Sequence, residues 1–485
     1  IINQHYYSMI LIYYVALREP EQDNQVGLLS EFFRKNAQSL KTLHQNNTAM
    51  SLIRELEKAS TFRPVFENLR RKAKVNPHIL KTAPLAPKMS LAWILKSENQ
   101  VIDYITKNIK AGKILSKAAK RNLLRLDKPR FVYSTAWPEK ILQAAVVSLI
   151  NNKIEQRWSN RLYSFRKGYS SHKAIRELSD FIKLSIKQNR SLYVLKRDVK
   201  NYDQSINKSK LMQFFQDELA GQQPFFWELI ESFLKPEIIN ADEGISFNET
   251  SASIQSKDSL PMGFSITCLA ENLYLKSLDQ ALDNQDGLFY LRYCDDIIIA
   301  HHNDKILLQN LKNAEKIISS LDLTFNEAKK SNILLGKKVE IDTGIFKVKN
   351  HVHYLGMNVY DDGSIFISDR KLRELKRHIT RCVAISSSTT KKYRLSIDQR
   401  ISTIISSVNL LFAAGLSHPY LELIIKFADN KKKIKSLDVW VARQILKPIF
   451  KGSHDKVFRK VSYKKLRELG LISLCHLRNI AYRGK

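Results

Sequence analysis

LFYLRYCDDIIIAHH, residues 288–302, is an apolar run, a Tyr-Cys-Asp-Asp turn at Tyr293 to Asp296, and a second apolar run. The spacing predicts a β-hairpin with two carboxylates, Asp295 and Asp296, at its tip. Paired acids also occur in ordinary polar turns, and DDGS at 361–364, between HYLGMNVY and IFI, reads as one of these. The apolar strands on both sides of Asp295 and Asp296 set 288–302 apart.

A second run, SLYVLKRDVKNYDQSI at 191–206, is apolar until it ends near Asp198. Taken alone, a strand-end Asp is as readily a solvated residue as a functional one. Phosphoryl transfer from a nucleotide needs two Mg²⁺ ions about 4 Å apart, one activating a hydroxyl and one neutralising the triphosphate and the departing pyrophosphate. At least two carboxylates must then converge, and Asp198, Asp295 and Asp296 are the candidates, with Mn²⁺ as the substitute ion.

The 485 residues are 44% hydrophobic, enough for a large core and about three domains at roughly 100 to 200 residues each. Lys and Arg number 79 against 47 Asp and Glu, a formal charge of +32. A field of that sign and size suits a polyanion such as nucleic acid, although ribosomal and membrane-surface proteins share it. Cys268, Cys294, Cys382 and Cys475 stand far apart, with neither a zinc-type pair nor a disulfide framework, which fits a reducing cytoplasm. The apolar opening, Ile1 to Val15, has no basic start or small-residue cleavage site and is too short to span a bilayer, so it reads as a packed segment with no membrane role.

From Leu28 to about Lys74 apolar residues recur every three or four positions, the pattern of an amphipathic helical region. Pro77, Pro84 and Pro87 mark a connector, and helical pattern resumes at Leu91. Residues 1–90 therefore read as a helical N-terminal extension. Between about 125 and 360 short β-rich runs alternate with helices, the signature of an α+β domain placed at 91–360. Residues 361–485 read as a basic helical region, broken by a loop at AISSSTTKKY, 384–393. From 370 to 485 there are 27 Lys and Arg against 7 Asp and Glu, so a net +20 sits on the last quarter of the chain.

DVKNYDQSI at 198–206 resembles motif A of reverse transcriptases, and YCDD resembles their motif C. Between them SLPMGFSITCLAENLYLKSLD, 259–279, is similar to motif B, with its Pro-x-Gly turn at Gly263. YSFRKGYSSHKAI, 163–175, is similar to the family's second motif, while LDLTFNEAKKSNI, 321–333, and HYLGM, 353–357, resemble motifs D and E. Six motifs stand in family order over roughly 125–360. The resemblance implies a right-hand polymerase: fingers and palm with an antiparallel sheet, and a helical thumb at the C-terminal side. It implies Asp198 and Asp295 as metal ligands, with Asp296 as ligand or support. It also implies a triphosphate held by fingers cations, here Lys128 and Arg130 in LDKPRFVYS with Arg166 nearby, and a general acid for pyrophosphate at Lys329, with Lys330 the alternative.

Two positions depart from the family pattern. Where the family sets an aromatic residue against the ribose 2′-hydroxyl, this chain has Asp203; Tyr202 is adjacent and is the candidate to take over the gate. A carboxylate at the gate would accept a hydrogen bond from a 2′-hydroxyl. Met262 stands where many members place Gln. The resemblance implies RNA-directed DNA synthesis from deoxynucleoside triphosphates, with an RNA template and a DNA product as partners and assembly into homo- or hetero-oligomers left open.

The architecture is most like the unknown-group, defence-associated bacterial enzymes. RNA-directed RNA polymerases, intron- or retron-type enzymes and a catalytically silent RNA scaffold are the rivals. The chain has no Cys/His cluster for an intron-type zinc region, and His351 and His353 read as turn residues. Lys431 to Lys435 and Lys456 to Arg467 read as a surface for a structured non-coding RNA that supplies the template.

Overall fold

The computed structural model describes residues 51–86, 88–116, 118–124, 130–188, 190–238, 259–283, 285–336, 344–393, 395–413, 419–450 and 457–483. Ile1 to Val15, most of the 28–74 helical pattern up to residue 50, Lys128 and Lys456 lie outside these residues. The described residues fall into two compact units.

The first unit holds 51–116 together with 136–149 and 219–232. It is helical: α1 (Leu52–Leu56), α2 (Arg63–Val75), α3 (Leu91–Lys96) and α4 (Glu98–Lys110). In α4 Val101, Ile102, Ile105 and Ile109 are buried, the three- and four-residue recurrence of a helix with one apolar face. The proline-marked connector is observed as a short 3-10 segment at Pro77–Lys81 followed by irregular chain, and Ser90 caps α3 by accepting from the Trp93 N–H.

The second unit is built on a five-stranded sheet in the order β5-β6-β3-β7-β8, from β3 (Leu192–Asp198), β5 (Phe289–Tyr293), β6 (Asp296–His301), β7 (Ser331–Leu335) and β8 (Lys347–Val348). All neighbours are antiparallel except β7 and β8. A second sheet, β11-β10-β9, comprises β9 (His351–Tyr354), β10 (Met357–Tyr360) and β11 (Ile365–Ile367), with the Asp361–Ser364 turn between the last two. A third pairs β1 (Ala118–Leu124) with β2 (Arg130–Ser134) and β4 (Glu237–Ile238). His351 and His353 thus stand on a strand, which corrects their reading as turn residues; four-residue β9 is too short and too polar to announce itself.

One core runs through this unit. Leu192 and Val194 of β3, Leu291 and Ile298 of the hairpin, and Ile175, Leu178 and Ile182 of α5 (Ser171–Lys187) share it with β9–β11 and the C-terminal helices. Removing one such leucine side chain costs about 2–5 kcal/mol. Since strand side chains alternate between faces, Lys196 and Asp198 continue the face of Leu192 and Val194, so the strand turns polar only at its end.

The C-terminal region is helical as expected: α9 (Asp369–Lys392), α10 (Ile397–Ala413), α11 (Pro419–Lys426), α12 (Lys431–Leu446) and α13 (Leu474–Arg483). The loop expected at 384–393 is not there, for α9 continues through it. Thr389 and Thr390 donate their hydroxyls to the carbonyls of Ile385 and Ser387 at 3.1 and 2.9 Å, so the polar groups are satisfied within the helix. Ser386, Ser387 and Thr390 are buried, and their small side chains suit the close packing of α9 on α10. No helix among the described residues is long and apolar enough to cross a membrane.

Candidate active site

The β5–β6 hairpin pairs Tyr293 with Asp296, leaving Cys294 and Asp295 as a two-residue loop. Such a loop favours a left-handed backbone at its first position, and Cys294 has φ 54°. For a residue other than glycine that conformation costs about 1–2 kcal/mol, so the turn needs support from its surroundings. Asp198 lies directly across from Asp296 in the β3–β6 register, and the Val199 N–H donates to the Asp295 carbonyl at 3.3 Å. Three carboxylate residues therefore meet at the ends of two adjacent strands.

Burial holds the Asp295 carboxyl up at about 6, with the charges of Asp198 and Asp296 adding to the rise. Crowded, partly dehydrated negative charge of this kind is relieved by a cation. Two lysines already lean in: Lys329 Nζ lies 2.7 Å from each Asp198 carboxylate oxygen, and Lys196 Nζ is 3.2 Å from Asp296. Lys329 is placed by the loop that follows α8 (Asp304–Ser320), which runs alongside the end of β3. There Lys200 N–H donates to Thr324 O, and Asn326 N–H donates to Asp198 O at 2.8 Å. Lys330 pairs with Glu327 in an exposed contact, so of the two candidate lysines the structure brings Lys329 to the carboxylates.

Among the described residues no group of three or more His, Cys, Asp or Glu side chains forms a ready-made metal cage. The donor set of Asp198 and Asp295, with Asp296 beside them, supplies hard oxygen ligands of the right kind. Beside them a cavity of about 330 Å³ is lined by Lys196, Lys329, Ser331, Ile333, Lys349, His351 and His353, a cationic recess next to an acidic point.

Gly263 sits in the turn before α6 (Ser265–Tyr274) at φ 100°. A Cβ there would lie 2.7 Å from both Tyr133 O and Val132 Cγ1, so only glycine lets this turn lie against β2. The Tyr133 N–H donates to Met262 O at 2.7 Å, closing the same contact. Arg130 opens β2, on the strand that carries this contact.

Tyr202 is only 4% exposed and its hydroxyl donates to the Glu271 carbonyl, which corrects its reading as a ribose gate. Asp203, half-buried, is the residue left at that position, and its carbonyl accepts from Leu260 N–H at 3.0 Å. Arg166 is not brought to the carboxylates either. Its guanidinium is buried, ion-paired with Glu155 at 2.8 Å, and donates to the carbonyls of Ser159 and Leu162.

The sequence reading missed Glu271 on α6. Desolvation raises its carboxyl to about 8, with the charges of Asp203 and Asp295 contributing. It also missed Lys196, two residues before Asp198 and so on the same strand face, a signal that alternation alone could have supplied.

A family model described as Reverse transcriptase (RNA-dependent DNA polymerase) matches residues 117–359, half of the chain. No curated protein matches. Among solved structures the chain is similar to apo telomerase from Candida tropicalis truncated from its C-terminal domain, at 13% identity and TM-score 0.38, over 56% of this chain and 60% of that one. It is also similar to telomerase from Candida albicans in complex with a TWJ fragment of telomeric RNA, at 12% identity and TM-score 0.37, over 78% of this chain and 66% of that one. The chain thus spans less than two thirds of the length of either.

Proposed function

The chain belongs to the reverse transcriptase family, and on that premise we propose that it is an RNA-directed DNA polymerase whose reaction centre is Asp198, Asp295 and Asp296. The observation that carries this reading is the register that sets Asp198 opposite Asp296, with Asp295 at the hairpin tip and Lys329 on Asp198. Asp198 and Asp295 would hold two Mg²⁺ ions, with Asp296 a ligand or a support. When bound, such ions supply charge neutralisation at the attacking 3′-hydroxyl and along the triphosphate. Lys329, which lies on Asp198, would give a proton to the departing pyrophosphate. Residues 91–360 then act as fingers and palm and 361–485 as a thumb with an added basic surface.

Asp203 supports a relaxed sugar choice. With Tyr202 turned into the core, Asp203 stands at the usual gate position in sequence, and a carboxylate there can accept a hydrogen bond from a ribose 2′-hydroxyl. The RNA-directed RNA polymerase reading therefore stays as the rival, and incorporation assays with deoxynucleotides and ribonucleotides side by side separate the two.

The basic tail supports a dedicated RNA partner. Asn430 caps α12, and Lys431, Lys432 and Lys433 fill its first turn, the end of a helix that repels cations. Stability does not ask for the exposed Lys431 and Lys432 there, whereas phosphates would; Lys433 lies over the Tyr360 ring instead. With the helical N-terminal region, this favours a defence-associated enzyme that copies a bound structured RNA. Sequencing the nucleic acid that copurifies with the protein, before and after incubation with deoxynucleotides, tests the reading: one enriched RNA and its complementary DNA support it.

A further inference from the structure

Cys294, the turn residue before Asp295, is held at both of its peptide groups by side chains outside the carboxylate centre. The Cys294 N–H donates to Ser164 Oγ at 3.0 Å, and Arg292 Nη1 donates to the Cys294 carbonyl at 3.1 Å. Ser164 is itself fixed: its hydroxyl donates to Asn272 Oδ1 at 2.7 Å, while Asn272 Nδ2 donates back to the Ser164 carbonyl at 2.8 Å. Arg292 forks onto Asp279 of α7 (Lys276–Asp283), Nε to Oδ1 at 2.6 Å and Nη2 to Oδ2 at 2.5 Å, and its Nη2 also reaches the Asn272 carbonyl at 3.2 Å. The Tyr290 hydroxyl donates to Asp279 Oδ1 at 2.6 Å. Backbone bonds from Arg292 N–H to Arg161 O and from Tyr163 N–H to Arg292 O, each 2.9 Å, seat the segment before Ser164 against β5.

Arg292 is 0% exposed and Ser164, Asn272 and Asp279 are buried with it. A buried ion pair adds little net stability over apolar side chains of the same volume, so stability alone gives no reason for this one. Its fork has a direction, however. The guanidinium donates only to Asp279, to the Asn272 carbonyl on α6 and to the carbonyl of the residue before Asp295 among the described residues. The left-handed Cys294 is the strained point of the hairpin, and both of its peptide groups are occupied by this network.

We infer that Ser164 and Arg292, locked by Asn272 and Asp279, are positioning residues that hold the Cys294 turn and thereby fix Asp295 for cation binding. The inference rests on Asp295 being a metal ligand. Groups that orient a ligand from behind typically change metal affinity about 10- to 100-fold when removed. Ser164→Ala takes away the acceptor for the Cys294 N–H and leaves the Arg292–Asp279 pair in place; Arg292→Lys keeps a charge but cannot reproduce the fork.

The test is Mn²⁺ binding to the full-length, metal-free protein by electron paramagnetic resonance, alongside single-turnover incorporation across a Mg²⁺ series. Ser164→Ala is expected to weaken Mn²⁺ binding about 10-fold and to regain part of its lost rate at high Mg²⁺. Leu178→Ala, a core change in α5, should lower the melting temperature at least as much yet bind Mn²⁺ as wild type does. Wild-type Mn²⁺ affinity in folded Ser164→Ala protein overturns the inference, and this variant decides the matter if Arg292→Lys does not fold. Asp295→Asn distinguishes the two ways of failing. If it loses Mn²⁺ while Ser164→Ala keeps it, the clamp alone is wrong; if it also binds normally, the ligand reading falls and the clamp with it.

Discussion

Replacing Lys329 by Met removes the ammonium that lies 2.7 Å from both Asp198 oxygens while keeping the length of the side chain. Lys329 is 52% exposed, so solvent screens the pair and it contributes at most about 1 kcal/mol to folding. Asn326 still donates to Asp198, by its backbone to the carbonyl and by its side chain to Oδ1 at 3.3 Å. The melting temperature should therefore move by no more than a few degrees. A positioned general acid contributes about 10² to 10⁴ in rate, so the chemical step should slow by at least about 100-fold, or roughly 2.7 kcal/mol of barrier. Rapid-quench single-nucleotide incorporation in H₂O and D₂O reads this directly, because a proton delivered by Lys329 carries a solvent isotope effect that the variant should lose. A Lys329→Met rate within threefold of wild type, with the isotope effect intact, refutes the assignment. The same loss appearing in Lys330→Met instead would move the role next door.

Glu271→Gln should stabilise the metal-free protein increasingly from pH 5 to pH 8. The folded carboxyl keeps its proton to about 8 while the unfolded one releases it near 4.5, so wild-type stability falls through that window. Even half of that shift is about 2 kcal/mol, and a variant-minus-wild-type difference that stays flat across these pH values contradicts the burial argument. At the sugar gate, Asp203→Ala should change the ratio of ribonucleotide to deoxynucleotide use at least about fivefold, whereas Tyr202→Phe should leave it alone; the reverse pattern returns the gate to Tyr202. On the tail, Lys433 lies 4.9 Å over the Tyr360 ring and is left in place, while Lys431, Lys432 and Lys435 are exposed. Changing those three to Gln should lower RNA affinity and flatten its salt dependence by about 0.7 to 0.9 for each phosphate no longer neutralised, while leaving thermal stability equal or higher. An unchanged salt slope removes the RNA role from this helix.

The hairpin at 288–302 and the strand ending at Asp198 were legible because each is a local pattern, a run of apolar residues broken by a turn or by a charge, whereas the Gly263 turn came only with the motif resemblance. Other features depend on contacts far apart in sequence. Arg166 looks like a free cation until Glu155 and two carbonyls claim it, and Tyr202 looks like a gate until the Glu271 carbonyl takes its hydroxyl. The Ser/Thr run in α9 reads as a breaker by local rule, and burial against α10 overrides that rule. Ser164 and Cys294 stand 130 residues apart, and nothing in either segment announces the bond between them.

The central claim is that Asp198, Asp295 and Asp296 form the reaction centre, and single-nucleotide extension of a primed RNA template in Mg²⁺ by Asp295→Asn protein tests it most directly. The hairpin loop can hold Asn as it holds Asp, so the protein should fold with a melting temperature close to wild type and its incorporation should fall to background. Folded Asp295→Asn protein that extends the primer at a near-normal rate would contradict the assignment of this site.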